Sequence, residues 1–358
     1  MTEFEFNKYF RRNPPLPLPL LPETLCAVII PVYDELDFFE KTICSIRDAR
    51  KKVSEKIAII AVINYPAGKS PEQSVQLLKQ LQNGKFPDVS ALFLPELSGG
   101  VGAARKAGMD AFLATVPPEK ISESIIFSLD ADTLIAKNYF STLIPLVRSH
   151  RAVCVGFSHQ QAENIAGQKA IDRYEKYLLR YMNKLKEAGS PYAFCTIGSA
   201  FAVRGDLYLH SGGMKVRQAG EDFYFLQNIA KITPPLQLDE VLVYPSSRVS
   251  DRVPFGTGPA VADLMEGKEL NEVPDEAFVL LKNLLSHVRD DELSGDVDKW
   301  LSALPEQCAN FLLQEKFQTV WQQIKKNLPR KTGAAVRAFH EWFDGLKTLR
   351  FLHFTMKQ

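Results

Sequence analysis

The sequence predicts an α/β fold, a parallel sheet with helices on its faces, followed by a helical C-terminal region. Three observations carry this. Four short, unbroken, β-branched apolar runs alternate with helical patterns between residues 25 and 130, the order of a βαβ frame. Past about residue 260 the strand patterns stop and amphipathic helical patterns take over. The chain has 358 residues, 46% apolar and 24% charged. That is enough to bury a sizeable core, and the balance excludes wholesale disorder, a collagen-like chain and a coiled-coil rod.

The elements follow in order. Residues 25–32 (LCAVIIPV) read as a strand buried on both faces, the pattern of a parallel sheet. Residues 37–47 read as a helix with Phe38, Ile43 and Ile46 in its inner stripe. Residues 57–63 (IAIIAVI) are a second buried strand. Ser70-Pro71-Glu72-Gln73 is a helix start, with Ser70 as N-cap, Pro71 at the first position and Gln73 three residues after the cap. It opens a helix over 71–81. Residues 89–94 form a third strand, 102–114 a helix rich in small residues, and 125–129 a fourth strand ending at Asp130. Ile171, Tyr174, Leu178, Tyr181 and Leu185 recur at three- and four-residue steps in a helix that Gly189-Ser190-Pro191 ends. Across 275–358, Phe311, Phe317, Trp321, Phe339 and Trp342 are the expected inward anchors. The chain divides into a Pro-rich leader (1–23), an α/β domain (24–260) and a helical region (261–358).

Composition narrows the partners and the compartment. Lys and Arg number 43 against 42 Asp and Glu, a net charge of +1. No global field draws in nucleic acid, and none is expected as a partner. The five cysteines (Cys26, Cys44, Cys154, Cys195 and Cys308) are scattered, odd in number and form no CxxC pair. That pattern favours reduced, buried thiols in a cytoplasmic protein. No apolar run approaches the roughly 20 residues of a membrane span. The N-terminal stretch lacks the helical core and cleavage site of a signal peptide. Residues 13–22 hold five prolines and read as a polyproline II strap.

Four features carry candidate chemistry. Asp130 and Asp132 leave the end of a buried strand at i and i+2, where ligands bind in open α/β sheets. Such a pair suits Mg²⁺ or Mn²⁺, and equally serves to cap a following helix. Glu221-Asp222 precedes an apolar helix, where it can supply a general base or simply satisfy the helix dipole. Gly99-Gly100-Val101-Gly102 with Arg105 opens a helix able to receive an anion, but matches neither GxGxxG nor a P-loop. Arg248 and Arg252, four apart before Gly256-Thr257-Gly258, can clamp a diphosphate or pair with surface acids such as Asp251 or Asp239.

Taken in sequence, these segments resemble a known family. VIIPVYDE at the first strand, GVGAARKAGMD with Arg105, the Asp130-Ala131-Asp132 turn, IGSAFAVRGDLY, AGEDFYF and RVSDRVPFGTG together resemble the family 2 glycosyltransferases. Within them the chain is closest to a bacterial subgroup carrying the GVGxARKxGMD, AGEDFYF and RVSDRVPFGTG motifs. The similarity runs from about residue 25 to 258. It implies a GT-A nucleotide-diphospho-sugar transferase-like fold with a mixed, mainly parallel sheet, and a divalent metal cofactor, Mg²⁺ or Mn²⁺. By the same resemblance Pro31, Tyr33 and Glu35 sit in the loop that holds the nucleoside. Arg105 approaches base or phosphate, Asp130 faces ribose or metal, and Asp132 binds the metal. Asp222 is the base with Glu221 beside it, and Arg248 and Arg252 lie in the segment closing over the donor. Two departures stand out. Asn64 stands where the family often has an Asp contacting the base, and it offers a donor as well as an acceptor. Lys106 follows Arg105 where the family has Asn.

The reaction these parts imply is inverting transfer of a sugar from a nucleoside-diphosphate sugar to a hydroxyl of a glycan or lipid-linked acceptor. Two other classes stay open on the sequence. One is a nucleotidyltransferase making a nucleotide-sugar, though PVYDE stands where that class usually has a GxGxR-type loop. The other is a non-catalytic sugar-nucleotide-binding protein. His159, after a strand-like 153–157, is a candidate acceptor contact or, more rarely, a metal contact; Tyr174, Tyr177 and Tyr181 are a candidate sugar platform or plain core. Lys325, Lys326, Arg330, Lys331 and Arg337 read as a solvated face, with docking to anionic lipid at the inner face of the cell membrane as the functional alternative.

Overall fold

The computed structural model describes residues 1–19, 23–69, 71–217, 219–250 and 256–356. The expectations placed on Ser70 and Arg252, and part of the Pro-rich segment, lie outside these residues. The chain forms two compact units: Met1–Glu175 with Phe194–Glu269, and Lys176–Ala193 with Leu270–Gln358.

The first unit runs α1 (Glu3–Arg12), β1 (Cys26–Val32), α2 (Leu36–Arg50), β2 (Ile57–Asn64), α3 (Glu72–Gln82), β3 (Val89–Leu94) and α4 (Gly100–Thr115). There follow β4 (Ile125–Ser128), β5 (Leu134–Ile135), α5 (Tyr139–His150), β6 (Ala152–Phe157), α6 (Ile165–Glu187), β7 (Phe201–Arg204), α7 (Gly205–His210), α8 (Glu221–Ile232), β8 (Leu236–Tyr244) and α9 (Thr257–Met265). The second half of α6 belongs to the second unit. One eight-stranded sheet has the order β3-β2-β1-β4-β7-β6-β8-β5. Strands β1, β2, β3, β4, β6 and β8 share one direction, while β7 and β5 run against their neighbours. The sheet is therefore mixed and mainly parallel, as the family resemblance implies.

The inner strands form because they are apolar throughout. Every residue of β1 is buried, and β2 is buried from Ile59 to Asn64, as strands covered on both faces must be. The strand order reverses between β1 and β4, the topological switch point at which a crevice opens. Pro31 marks where it opens. Pairing of β1 with β4 ends at Ile29 and Ser128, and the Ile29 carbonyl accepts from the Leu129 amide at 3.2 Å. Two residues on, Pro31 faces the same side, where β4 has already ended, so its missing N–H leaves no ladder bond unmade.

The N-terminal stretch holds a helix that the sequence reading passed over. Thr2 and Glu5 form a reciprocal capping box on α1. Tyr9 of α1 donates its hydroxyl to buried Asp110 of α4 at 2.8 Å, Tyr208 donates to the same oxygen at 2.8 Å, and Lys106 reaches the other at 2.7 Å. Lys106, the residue that departs from the family pattern, thus helps to hold α1.

In the second unit, α10 (Asp275–Ser286), α11 (Asp290–Ser294), α12 (Val297–Ser302), α13 (Glu306–Gln314), α14 (Phe317–Lys326), α15 (Ala334–Trp342) and α16 (Gly345–Thr355) follow one another. Their core is aromatic. Phe311, Phe317, Trp321 and Phe339 are buried, and Trp342 packs against them half-buried.

Candidate active site

Because the parallel strands share a direction, their carboxyl ends lie along one edge of the sheet. That edge carries Asn64 at the end of β2, the 33–35 loop after β1, the Asp130-Ala131-Asp132 turn after β4, His159 and Gln160 after β6, and Arg248 after β8.

The acidic turn is held at every carbonyl. Leu129 O accepts from Arg105 Nη1 (3.3 Å), Asp130 O from the Thr133 amide (3.2 Å), Ala131 O from the Thr42 hydroxyl (2.8 Å) and Asp132 O from Gln160 Nε2 (2.7 Å). Gln160 Nε2 also donates to Tyr244 O at 2.8 Å, tying the turn to the end of β8. Sequence reasoning missed Gln160; its value arises from β6 lying beside β8, which no local pattern announces. A turn with these four carbonyls engaged fixes where its two carboxylates stand.

Arg105 lies beneath those carboxylates. Its side chain is 3% exposed. Nε donates to Glu221 Oε1 at 3.0 Å, Nη1 to Ser128 Oγ at 2.8 Å, and Nη2 to Asp130 Oδ1. Gly198 has no side chain where a Cβ would overlap the guanidinium, and its carbonyl accepts from Ser128 Oγ at 2.7 Å. Gly102, one turn earlier on α4, likewise lets the backbone at Lys215 and Arg217 and the Glu221 side chain pack onto the helix. All three nitrogens of the Arg105 guanidinium thus donate to groups inside the protein. Burial opposes its charge, but Asp130, Glu221 and Asp222 more than restore it.

One guanidinium thus spans the Asp130 turn and the start of α8, bringing together acids about 90 residues apart in sequence. Glu221 is buried, whereas Asp222 keeps some exposure. The Asp222 carboxyl is pushed up to about 7, first by burial and then by the charge of Glu221, against the pull of the Phe223 amide and Arg105. Oδ1 accepts from that amide at 2.7 Å.

Across the crevice, Arg248 joins two acids. Nε and Nη2 reach Asp132 Oδ2 at 3.1 and 3.0 Å, and Nη2 also pairs with Glu35 Oε1. Its guanidinium lies over the Phe38 ring, 4.5 Å from the centroid. Asn64 spends its amide nitrogen on Val32 O (3.2 Å) and Val62 O (3.0 Å), holding the ends of β1 and β2 together. Tyr33 is half-buried beside them in the 33–35 loop. His159 turns to Glu175, with Nδ1 2.9 Å from Oε2 and its backbone amide 2.8 Å from the same oxygen. Tyr174 packs at Ile171 and Val261, while Tyr181 joins the aromatic core of the second unit.

The donor set suits a divalent cation. Asp130 and Asp132 offer hard carboxylate oxygens, and burial together with the charge of Asp130 pushes Asp132 up, a tension that a cation relieves. Among the described residues no cluster of three or more His, Cys, Asp or Glu side chains forms a ready ligand set.

Comparison with known proteins places this architecture. Among solved structures, Staphylococcus aureus TarS 1-349 in complex with UDP-GlcNAc is 13% identical, covering 79% of this chain and 82% of that one at a TM-score of 0.46. The mannosyltransferase PcManGT from Pyrobaculum calidifontis, in complex with GDP-Man and Mn²⁺, is 13% identical over 95% and 94% at 0.42. Glucosyl-3-phosphoglycerate synthase from Mycobacterium tuberculosis, with UDP, is 14% identical over 76% and 87% at 0.36. These likenesses are too distant to carry a substrate across. No curated protein sequence matches the chain. The model for glycosyl transferase family 2 matches residues 27–207, half of the chain, from β1 to α7 with the Asp130-Ala131-Asp132 turn inside it. The chain therefore belongs to glycosyl transferase family 2 and is a glycosyltransferase with a GT-A fold.

Proposed function

We propose that the protein moves a sugar from a nucleoside-diphosphate sugar to an acceptor hydroxyl by a single displacement that inverts the anomeric carbon, with Asp222 as general base. The observation that carries this reading is the Arg105 bridge, which joins the Asp130–Asp132 turn to the Glu221–Asp222 helix start. Membership of glycosyl transferase family 2 supports a nucleoside-diphosphate sugar as donor here.

Breaking the glycosidic bond sends negative charge onto the diphosphate. Asp130 and Asp132 would hold a divalent cation, which supplies Lewis-acid stabilisation of that charge when bound. Arg248 lies beside Asp132, placed to face the same oxygens. Pro31, Tyr33, Glu35 and Asn64 line the β1 and β2 ends where the nucleoside would lie, and Arg252 follows Arg248 in the same segment. On the acceptor side, Asp222 takes the hydroxyl proton as oxygen attacks. A carboxyl pushed up to about 7 is a stronger base than an ordinary one and is still about half ionised at neutral pH. Arg105 does not touch substrate; it positions Glu221 and Asp130 and opposes the repulsion among the acids. No covalent enzyme intermediate is needed. The acceptor is a glycan or a lipid-linked glycan. A peripheral membrane contact through the basic residues of 325–337 belongs to this reading. Among the described residues, no helix is long and apolar enough to cross a membrane.

The test is a panel of nucleoside-diphosphate sugars incubated with Mn²⁺ and candidate glycan acceptors. Nucleoside diphosphate release with an inverted product supports the reading. Release of pyrophosphate from sugar phosphate and nucleoside triphosphate, or binding without turnover across the panel, contradicts it.

A further inference from the structure

Arg248 occupies an unusual position for a diphosphate clamp. Its guanidinium is already engaged by the two acids that flank the crevice. Nη2 reaches both Glu35, from the β1–α2 loop, and Asp132, from the acidic turn, and Nε doubles the bond to Asp132 Oδ2 at 3.1 Å. Phe38 lies under the guanidinium plane and adds a cation–π contact. The side chains of Asp132, Glu35 and Arg248 are 16%, 8% and 26% exposed, so the pairing is partly shielded from water and less screened by salt than a surface pair. The arginine also sits four residues past the end of β8, on a connecting segment rather than in a strand.

Charge balance makes this arrangement informative. Asp130 and Asp132 stand two residues apart, and Arg105 answers only Asp130. Asp132 is left to Arg248. A Mg²⁺ ion bound to a carboxylate oxygen stands about 2.0–2.1 Å from it. A cation on Asp132 Oδ2 would share that oxygen with two guanidinium nitrogens, and like charges at that separation repel.

Resting on the proposed transfer reaction, we propose that Arg248 is a tethered cation that fills the metal position of the acid pair until donor and metal arrive. Metal binding to Asp132 and pairing of Arg248 with Asp132 and Glu35 exclude one another. Arrival of the metal releases the guanidinium, which is then free for the incoming diphosphate. The same side chain serves both states, neutralising acids in one and phosphate oxygens in the other.

The test needs no donor. Mn²⁺ is titrated into the full-length wild type and the Arg248→Ala, Arg248→Ala/Asp132→Ala and Asp132→Ala variants, and free Mn²⁺ is read from its electron paramagnetic resonance signal. Thermal melts establish that each variant is folded. The expected result is that Arg248→Ala binds Mn²⁺ about tenfold or more tightly than wild type, and that adding Asp132→Ala abolishes the gain. Unchanged or weaker binding in Arg248→Ala overturns the proposal, as does a gain that survives loss of Asp132 or an absence of Mn²⁺ binding in both wild type and Arg248→Ala. The proposed reaction fails separately, by lack of sugar transfer across the donor panel, so the two failures are distinguishable.

Discussion

Asp222 sets the expected pH behaviour. Its carboxyl must be ionised to act as a base, and burial with Glu221 pushes it up to about 7. Turnover should therefore fall as pH drops below about 7, and kcat/KM against pH should show an acid limb there. Asp222→Asn should lower kcat by about 10²–10⁴-fold while donor binding survives, as calorimetry with the donor would show. The same group also affects folding. Its folded value lies above the ordinary carboxylate range, so the folded chain keeps a proton that the unfolded chain has lost. Stability from Asp222 is present below the ordinary range and is lost as pH rises towards about 7. Asp222→Asn should therefore melt higher than wild type at pH 8, with the difference vanishing towards pH 4. Arg105 makes the converse case. Arg105→Gln leaves buried Glu221 and the Asp130 oxygen without their cation, and should cost about 3–5 kcal/mol in denaturant unfolding. Arg105→Lys should recover only part, because one ammonium cannot span Glu221, Ser128, Leu129 and Asp130. The acids were legible in sequence because they sit at a strand end and a helix start. The inward aim of Arg105 was not, since nothing local distinguishes a buried arginine from a ligand-facing one.

Among elements, the acidic turn is the most tightly specified. Thr42 from α2 and Gln160 after β6 hold its carbonyls from opposite sides. Gln160→Ala should displace the turn without unfolding the sheet, lowering kcat by about 10–100-fold with little change in melting temperature. Helix α1 depends on one buried acceptor. Tyr9→Phe removes a bond to Asp110 and should cost about 1–2 kcal/mol, read from the urea midpoint. The inner strands and the helices between them were legible because buried parallel strands are continuous apolar runs. Two kinds of element were not. β8 (LQLDEVLVY) carries exposed polar residues at its centre and so breaks the apolar pattern, and β5 has two residues only. Their pairing comes from chain segments about 100 residues apart. The local signal for α1 is the Thr2-x-x-Glu5 capping box, which stands just ahead of the Pro-rich run.

For the molecule as a whole, charge is nearly balanced while chemistry is gathered at one edge of one sheet. The parallel strands place five loops along that edge, and the switch between β1 and β4 opens it at Pro31. The family was legible because the motifs follow one another in the order the fold needs. The way the acids and arginines pair was not, because pairing is set by distances between segments and not by any segment alone. The most direct measurement is a crystal structure with UDP or GDP and Mn²⁺ bound. The diphosphate is expected beside Asp130 and Asp132, with the Asp222 carboxylate facing the open side of the same crevice. A nucleotide bound elsewhere, or Asp222 turned away from it, would rule out this site and its base.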